Sequence, residues 1–119
     1  MTDNISYVFE VAVRPGKLEE FKTLMQEMVE ATQANEPDTL NYEWFISHDG
    51  TVCHTCERYR NSDAVMTHMK SVRERFSERY FAASEPKRLV VYGNPSDEIR
   101  AMFAPLNAVF LPPAAGFVR

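Results

Sequence analysis

From Ile5 to Val13 large apolar side chains fall on every second residue (Ile5, Tyr7, Phe9, Val11, Val13), and Val8 and Ala12 leave few polar positions between them. That period predicts a strand. Pro15-Gly16 then presets a turn, and from Lys17 to about Ala34 the period lengthens. Leu18, Phe21, Leu24, Met25, Met28 and Val29 mark one face against Glu19, Glu20, Lys22, Glu27 and Glu30, an amphipathic helix of roughly five turns. It stops at Asn35-Glu36-Pro37, because proline disfavours the helical conformation of the residue before it. Leu40 to Ser47 and Val52 to Arg60 are β-rich runs joined by His48-Asp49-Gly50-Thr51, a strong hairpin signal. Asn61-Ser62-Asp63 opens a second helix. Val65, His68, Met69, Val72 and Phe76 give it an inner face up to a stop near Ser84-Glu85-Pro86. Lys87 to Tyr92 reads as a fourth strand, and Ser96 caps a short helix to about Ala104, ended by Pro105. The tail carries one apolar run, Ala108 to Leu111, before Pro112-Pro113.

The resulting order is βαββαβ with a C-terminal extension. Right-handed crossovers place both main helices on one face of a four-stranded antiparallel sheet, a ferredoxin-like α+β fold. We expect one domain over 1–119, with its core in 5–92 and an extension in 93–119 that holds a short helix and a strand-like tail. Both faces of the first two strands are greasy: Tyr7, Phe9 and Val11 oppose Val8 and Ala12, and Tyr42, Trp44 and Ile46 oppose Phe45. Two helices cover one face only. Each large apolar side chain left in water forgoes about 1.5–3 kcal/mol, so a second copy of the chain is expected on the other face. The alternative is that the C-terminal segment folds over it.

Composition narrows the function. With 119 residues, 45% hydrophobic and 25% charged, the chain has a globular composition. No apolar run nears the roughly 18 residues that cross a bilayer, and the start, MTDNISYVFE, lacks the pattern of a secretory signal. A cytoplasmic protein without a membrane partner is expected, and two cysteines, Cys53 and Cys56, are too few for a disulfide framework. Thirteen basic residues against seventeen acidic ones argue against a nucleic-acid partner. Four widely separated glycines cannot build a phosphate-cradling loop.

His68 lies on the apolar stripe of the second helix, one turn from Val65 and from Val72, where an imidazole can exchange protons near neutral pH. It could equally be a core histidine satisfied by one hydrogen bond. Thr55, Glu57 and Tyr59 alternate on one face of the third strand. If that face meets the helices, Glu57, Tyr59 and His68 converge on one cleft, the carboxylate fixing the imidazole tautomer and the phenol binding a substrate oxygen. Otherwise Glu57 pairs with a cross-strand cation and Tyr59 packs. Cys53-His54-Thr55-Cys56 looks like a metal or redox pair, but a spacing of three on a strand sends the sulfurs to opposite faces. No metal site is expected.

Several stretches together resemble the antibiotic biosynthesis monooxygenase family of dimeric α+β barrels. They are Val13-Arg14-Pro15-Gly16-Lys17-Leu18-Glu19-Glu20-Phe21, then Glu36-Pro37 before Leu40-Asn41-Tyr42, then Glu57 to Val65 followed by His68 and Ser71. The resemblance spans roughly Ile5 to Tyr92. It implies a homodimer with a small-molecule pocket between sheet and helices. It also implies oxidation of aromatic substrates, quinols or polyketide anthrones, by O₂ with neither flavin nor metal, and hence no cofactor. Carried onto this chain, it makes His68 the acid–base or ligand-orienting residue with Glu57 as its partner. Tyr59 and Thr55 line the pocket, at positions where many members have tryptophan and asparagine. Trp44, Phe21, Met25 and Met69 are candidates for apolar walls. Tyr59 followed by His68 is also similar to the branch that isomerises a phosphorylated autoinducer-2 sugar. A non-catalytic binding module would use the same cleft.

Overall fold

The computed structural model describes residues 2–119. Its elements follow the expected order: β1 (Ile5–Val13), α1 (Leu18–Asn35), β2 (Thr39–Ile46), β3 (Val52–Tyr59), α2 (Ser62–Arg75), α3 (Ser77–Ala83), β4 (Ser84–Tyr92), α4 (Asp97–Phe103), a 3₁₀ turn (Ala104–Leu106) and β5 (Val109–Leu111). The sheet runs β2-β3-β1-β4-β5. Its first four strands are antiparallel, in the ferredoxin-like arrangement. Among the described residues no helix is long and apolar enough to cross a membrane.

Three features depart from the sequence expectation. The sheet has five strands and is mixed, because the tail joins it: Val90, Val91 and Tyr92 pair in parallel with Val109, Phe110 and Leu111. A parallel neighbour needs a crossover, which α4 and the 3₁₀ turn supply, and Asn107 reverses the chain in the left-handed region (φ 53°). The second helix is broken at Phe76, which leaves helical geometry (φ −128°, ψ −23°). The new direction buries Phe76, Tyr80 and Ala83 in one cluster with Val11, Phe21, Leu24 and Met28. β4 also starts early enough to include Pro86. Proline cannot donate to a ladder, and here it sits at a register shift against β1, where Glu10 faces Arg88 but Val11 faces Pro86, a placement that bulges tolerate.

One face of the sheet carries the helices. α1 buries Phe21, Leu24, Met28 and Thr32, spaced as one helical stripe, and α2 buries Ala64, Val65 and His68. Asn61 caps α2, its Oδ1 accepting from the Ala64 N–H at 3.0 Å. On the opposite face the ladder registers align Glu43, Cys56, Val8, Val90 and Val109 in one row across all five strands. Phe45, Tyr92, Val109 and Leu111 are exposed. β5 lengthens the sheet at its edge, and the residues after it, Pro112 to Val118, border a groove with Ser6, Arg58 and Tyr92 on this face, while Phe45 on β2 stays exposed. Cys53 is buried and Cys56 only partly so, both as free thiols, and the pleat sends them to opposite faces.

Candidate active site

The period of two in β3 turns Thr55, Glu57 and Tyr59 toward the helices, and all three are buried. Glu57 is the hub. Its Oε2 accepts from Thr55 Oγ1 at 2.9 Å and its Oε1 from Tyr59 Oη at 2.5 Å. Tyr7, stacked on Tyr59 at 5.5 Å between ring centroids, donates in turn to Tyr59 Oη at 3.2 Å. From α2, His68 brings Nε2 to 3.5 Å from Glu57 Oε1. Its other nitrogen, Nδ1, lies 2.8 Å from Glu36 Oε1. Glu36 also accepts from Thr39 Oγ1 at 3.1 Å. A carboxylate only accepts, so Nδ1 carries its hydrogen toward Glu36, and Nε2 is the nitrogen on the Glu57 side.

His68, Glu57 and Glu36 are 3%, 6% and 8% exposed. Three ionisable groups at that depth are costly unless they pair and share protons. In the line Glu36–His68–Glu57 each carboxylate faces a ring nitrogen, and hydroxyls donate at both ends. The tyrosines stay phenolic. Burial, and next the negative charge of Glu57, push Tyr7, Tyr42 and Tyr59 well above the ordinary phenol range. Burial, then the neighbouring Cys53, does the same to Tyr80. Burial lifts the Cys53 thiol to about 12, so it is an inert core group rather than a nucleophile. Among the described residues, no three of His, Cys, Asp and Glu are grouped as ligands for a metal ion.

These shifts fix a pH dependence. Above the pKa of an ordinary thiol or phenol the unfolded chain releases protons that the folded chain keeps. The folded state then binds more protons, and stability falls as pH rises. The urea midpoint is expected to hold steady up to about pH 8.5 and to drop through the range from about 9 to 11. A midpoint that is flat to pH 11 would contradict the burial of these groups.

His68 and Glu57 line a cavity of about 280 Å³ between sheet and helices, near the small end of the usual range for ligand pockets. Thr55, Glu57 and His68 supply its polar patch, and Phe9, Met28, Trp44, Met69 and Leu89 are among its apolar walls. Met102, Phe103 and Leu106 close it from the C-terminal extension. Trp44 Nε1 is buried and has no hydrogen-bond partner.

A family model described as antibiotic biosynthesis monooxygenase matches residues 4–85. The chain belongs to that family. No curated protein sequence gives a significant match. Among solved structures the fold is similar to MupZ from Pseudomonas fluorescens, with 24% identity, a TM-score of 0.86, and coverage of 99% of this chain and 96% of that one. It is also similar to SnoaB, a cofactor-independent oxygenase from Streptomyces nogalater, with 14% identity, a TM-score of 0.66, and coverage of 80% and 96%. A family protein from Nitrosomonas europaea matches at 20% identity with a TM-score of 0.69, over 79% of this chain and 92% of its own. These identities speak for the fold alone. The match to MupZ runs on through the C-terminal extension, which lies beyond the span of the family model.

Within this family member the residues singled out from sequence fall into two groups. His68, Glu57, Thr55, Trp44 and Met69 line the cavity, whereas Tyr59, fully buried, stands behind Glu57 and holds it. Phe21 and Met25 are not part of the lining. Phe21 is packed in the core, edge-on to Trp44 with ring centroids 5.7 Å apart. Met25 is off the inward stripe of α1, and Met28 forms the wall instead. The sequence does not single out Glu36, Tyr7 and Tyr42 as site residues, and Arg73, which lines the cavity, reads from it as part of a solvated charged face of the second helix, with anion binding as the alternative. Glu36 reads as part of a helix stop and of a stretch that carries the family resemblance, and its contact with a histidine 32 residues away leaves no local signal.

Proposed function

We propose that this chain is a cofactor-independent monooxygenase-like enzyme that oxidises a small aromatic or quinol-type substrate with O₂. The observation that carries the reading is a buried His68–Glu57 pair, Nε2 to Oε1 3.5 Å, in a cavity whose walls are mostly apolar and aromatic. Such a cavity orients a flat electron-rich ring and excludes water. For an anthrone the chemistry balances with substrate and O₂ alone. His68 Nε2 accepts a proton from the ring methylene, the carbanion reduces and binds O₂, and the C–H and O–O bonds break. One oxygen remains as the quinone carbonyl, and the other leaves as water with both methylene hydrogens. Glu57 stabilises the imidazolium that forms, and Glu36 holds the ring orientation. A phosphorylated sugar suits the same walls poorly, because its hydroxyls would meet mostly hydrocarbon.

Exposed apolar groups on the face away from the helices support a homodimer as the working form. Among the described residues Phe45, Tyr92, Val109 and Leu111 stay exposed there, beside the row of Cys56, Val8 and Val90. Sedimentation at micromolar concentration checks this, and a monomer there would remove it.

The deciding experiment measures oxygen uptake with anthrone and a quinol panel. Turnover is expected with the native chain and a fall of about 10²–10⁴-fold in His68→Ala. No uptake with any compound by a folded protein overturns the proposal.

A further inference from the structure

We infer that the cavity takes an elongated, largely apolar molecule bearing a carboxylate at its outer end, and that Arg73 is the residue that reads that carboxylate. The inference rests on the cavity being a substrate site and adds the chemistry of the part of the substrate that does not react.

Apart from His68, Arg73 is the one basic residue in the lining. Other arginines of the chain are engaged: Arg60 pairs with Asp38 at 2.8 Å and Arg79 with Glu27 at 2.9 Å. Arg73 forms no ion pair among the described residues. Its hydrogen-bond partner is the Met102 sulfur at 3.6 Å, a weak acceptor. Most of the guanidinium donors therefore remain for a ligand. Met102 and Leu106 stand with it in the lining, and such low-dielectric neighbours strengthen a charge pair.

Geometry sets the length of the molecule. His68 and Arg73 both line the cavity from α2, five residues apart, which is about 7.5 Å of helical rise. His68 is buried and Arg73 exposed, so the reactive end lies deep and the anion lies where the cavity meets solvent. One guanidinium fork matches a single carboxylate edge to edge. A phosphate dianion would bring two negative charges to a cavity whose one Lys or Arg side chain is Arg73.

Trp44 lines the cavity and is the chain's one tryptophan, so quenching of its fluorescence reports occupancy. The native chain is to be titrated with anthracene-2-carboxylate and with anthracene-2-carboxamide, which share a ring system and differ in charge. The acid is expected to bind at least tenfold more tightly, with the gap narrowing as salt is raised. Arg73→Gln, a change on an exposed position, is expected to bring the acid down to the level of the amide. Equal affinities in the native chain, a preference that survives in Arg73→Gln, or no quenching by either compound overturns the inference. Oxygen uptake by the native chain with unsubstituted anthrone, run alongside, separates the two readings. Acid preference without oxidation removes the monooxygenase proposal alone, and oxidation without acid preference removes the role of Arg73 alone.

Discussion

Glu57→Gln is expected to lower the turnover of an anthrone by two to four orders of magnitude with little change in KM, the largest effect we foresee from a change of so few atoms. Both carboxylate oxygens accept from hydroxyls, and Oε1 also faces His68 Nε2. An amide keeps the shape but turns an NH₂ toward a group that already donates, so either Thr55 or Tyr59 loses its acceptor. Leaving a buried donor unpaired costs about 1–3 kcal/mol, which a urea titration would register as a lowered midpoint. The catalytic loss has a separate cause, since a neutral amide cannot stabilise an imidazolium at Nε2. The loss should therefore appear in kcat, with KM set by the apolar walls. A kcat within threefold of the native value in the folded variant would take Glu57 out of the mechanism.

Phe21→Ala is expected to cost about 3–5 kcal/mol, the usual price of emptying an aromatic site in a core. Phe21 is fully buried and touches both Trp44 and Tyr80, with ring centroids at 5.7 and 5.9 Å. Its removal leaves a void where α1 and α3 meet the sheet. Domains have only about 5–15 kcal/mol of stability to lose, so the urea midpoint should fall steeply. Because Phe21 stands behind the cavity wall, residual folded protein should bind ligand with nearly native affinity. A variant of native stability with weakened binding would instead make Phe21 a wall residue.

Much of this is legible in the sequence. The alternation in β3 alone puts Thr55, Glu57 and Tyr59 on one face, and the helical spacing of Val65, His68 and Val72 points the imidazole at it. What local pattern could not supply was whatever depends on contacts distant in sequence. Glu36 becomes a partner of His68 only because the end of α1 comes to lie beside α2. The break at Phe76 carries no glycine or proline to announce it and follows from packing Phe76 and Tyr80 against α1. Pro86 looks like a terminator and is tolerated in β4 because β1 shifts register there. The parallel strand β5 was visible as an apolar run, but its partner was not, since pairing it with β4 requires the intervening α4 to swing it back.

The C-terminal extension has a consequence for how such proteins diversify. His68 and Glu57 lie within residues 4–85, whereas Met102, Phe103 and Leu106, which close the cavity, come afterwards. Reactive groups and outer wall therefore occupy separable lengths of one gene. A different ending that kept the anchors Ile99 and Phe103, which are buried with Tyr7 and Tyr59, would reshape what fits through positions such as Met102 and Leu106, so new ligands could be acquired by varying a tail around fixed anchors.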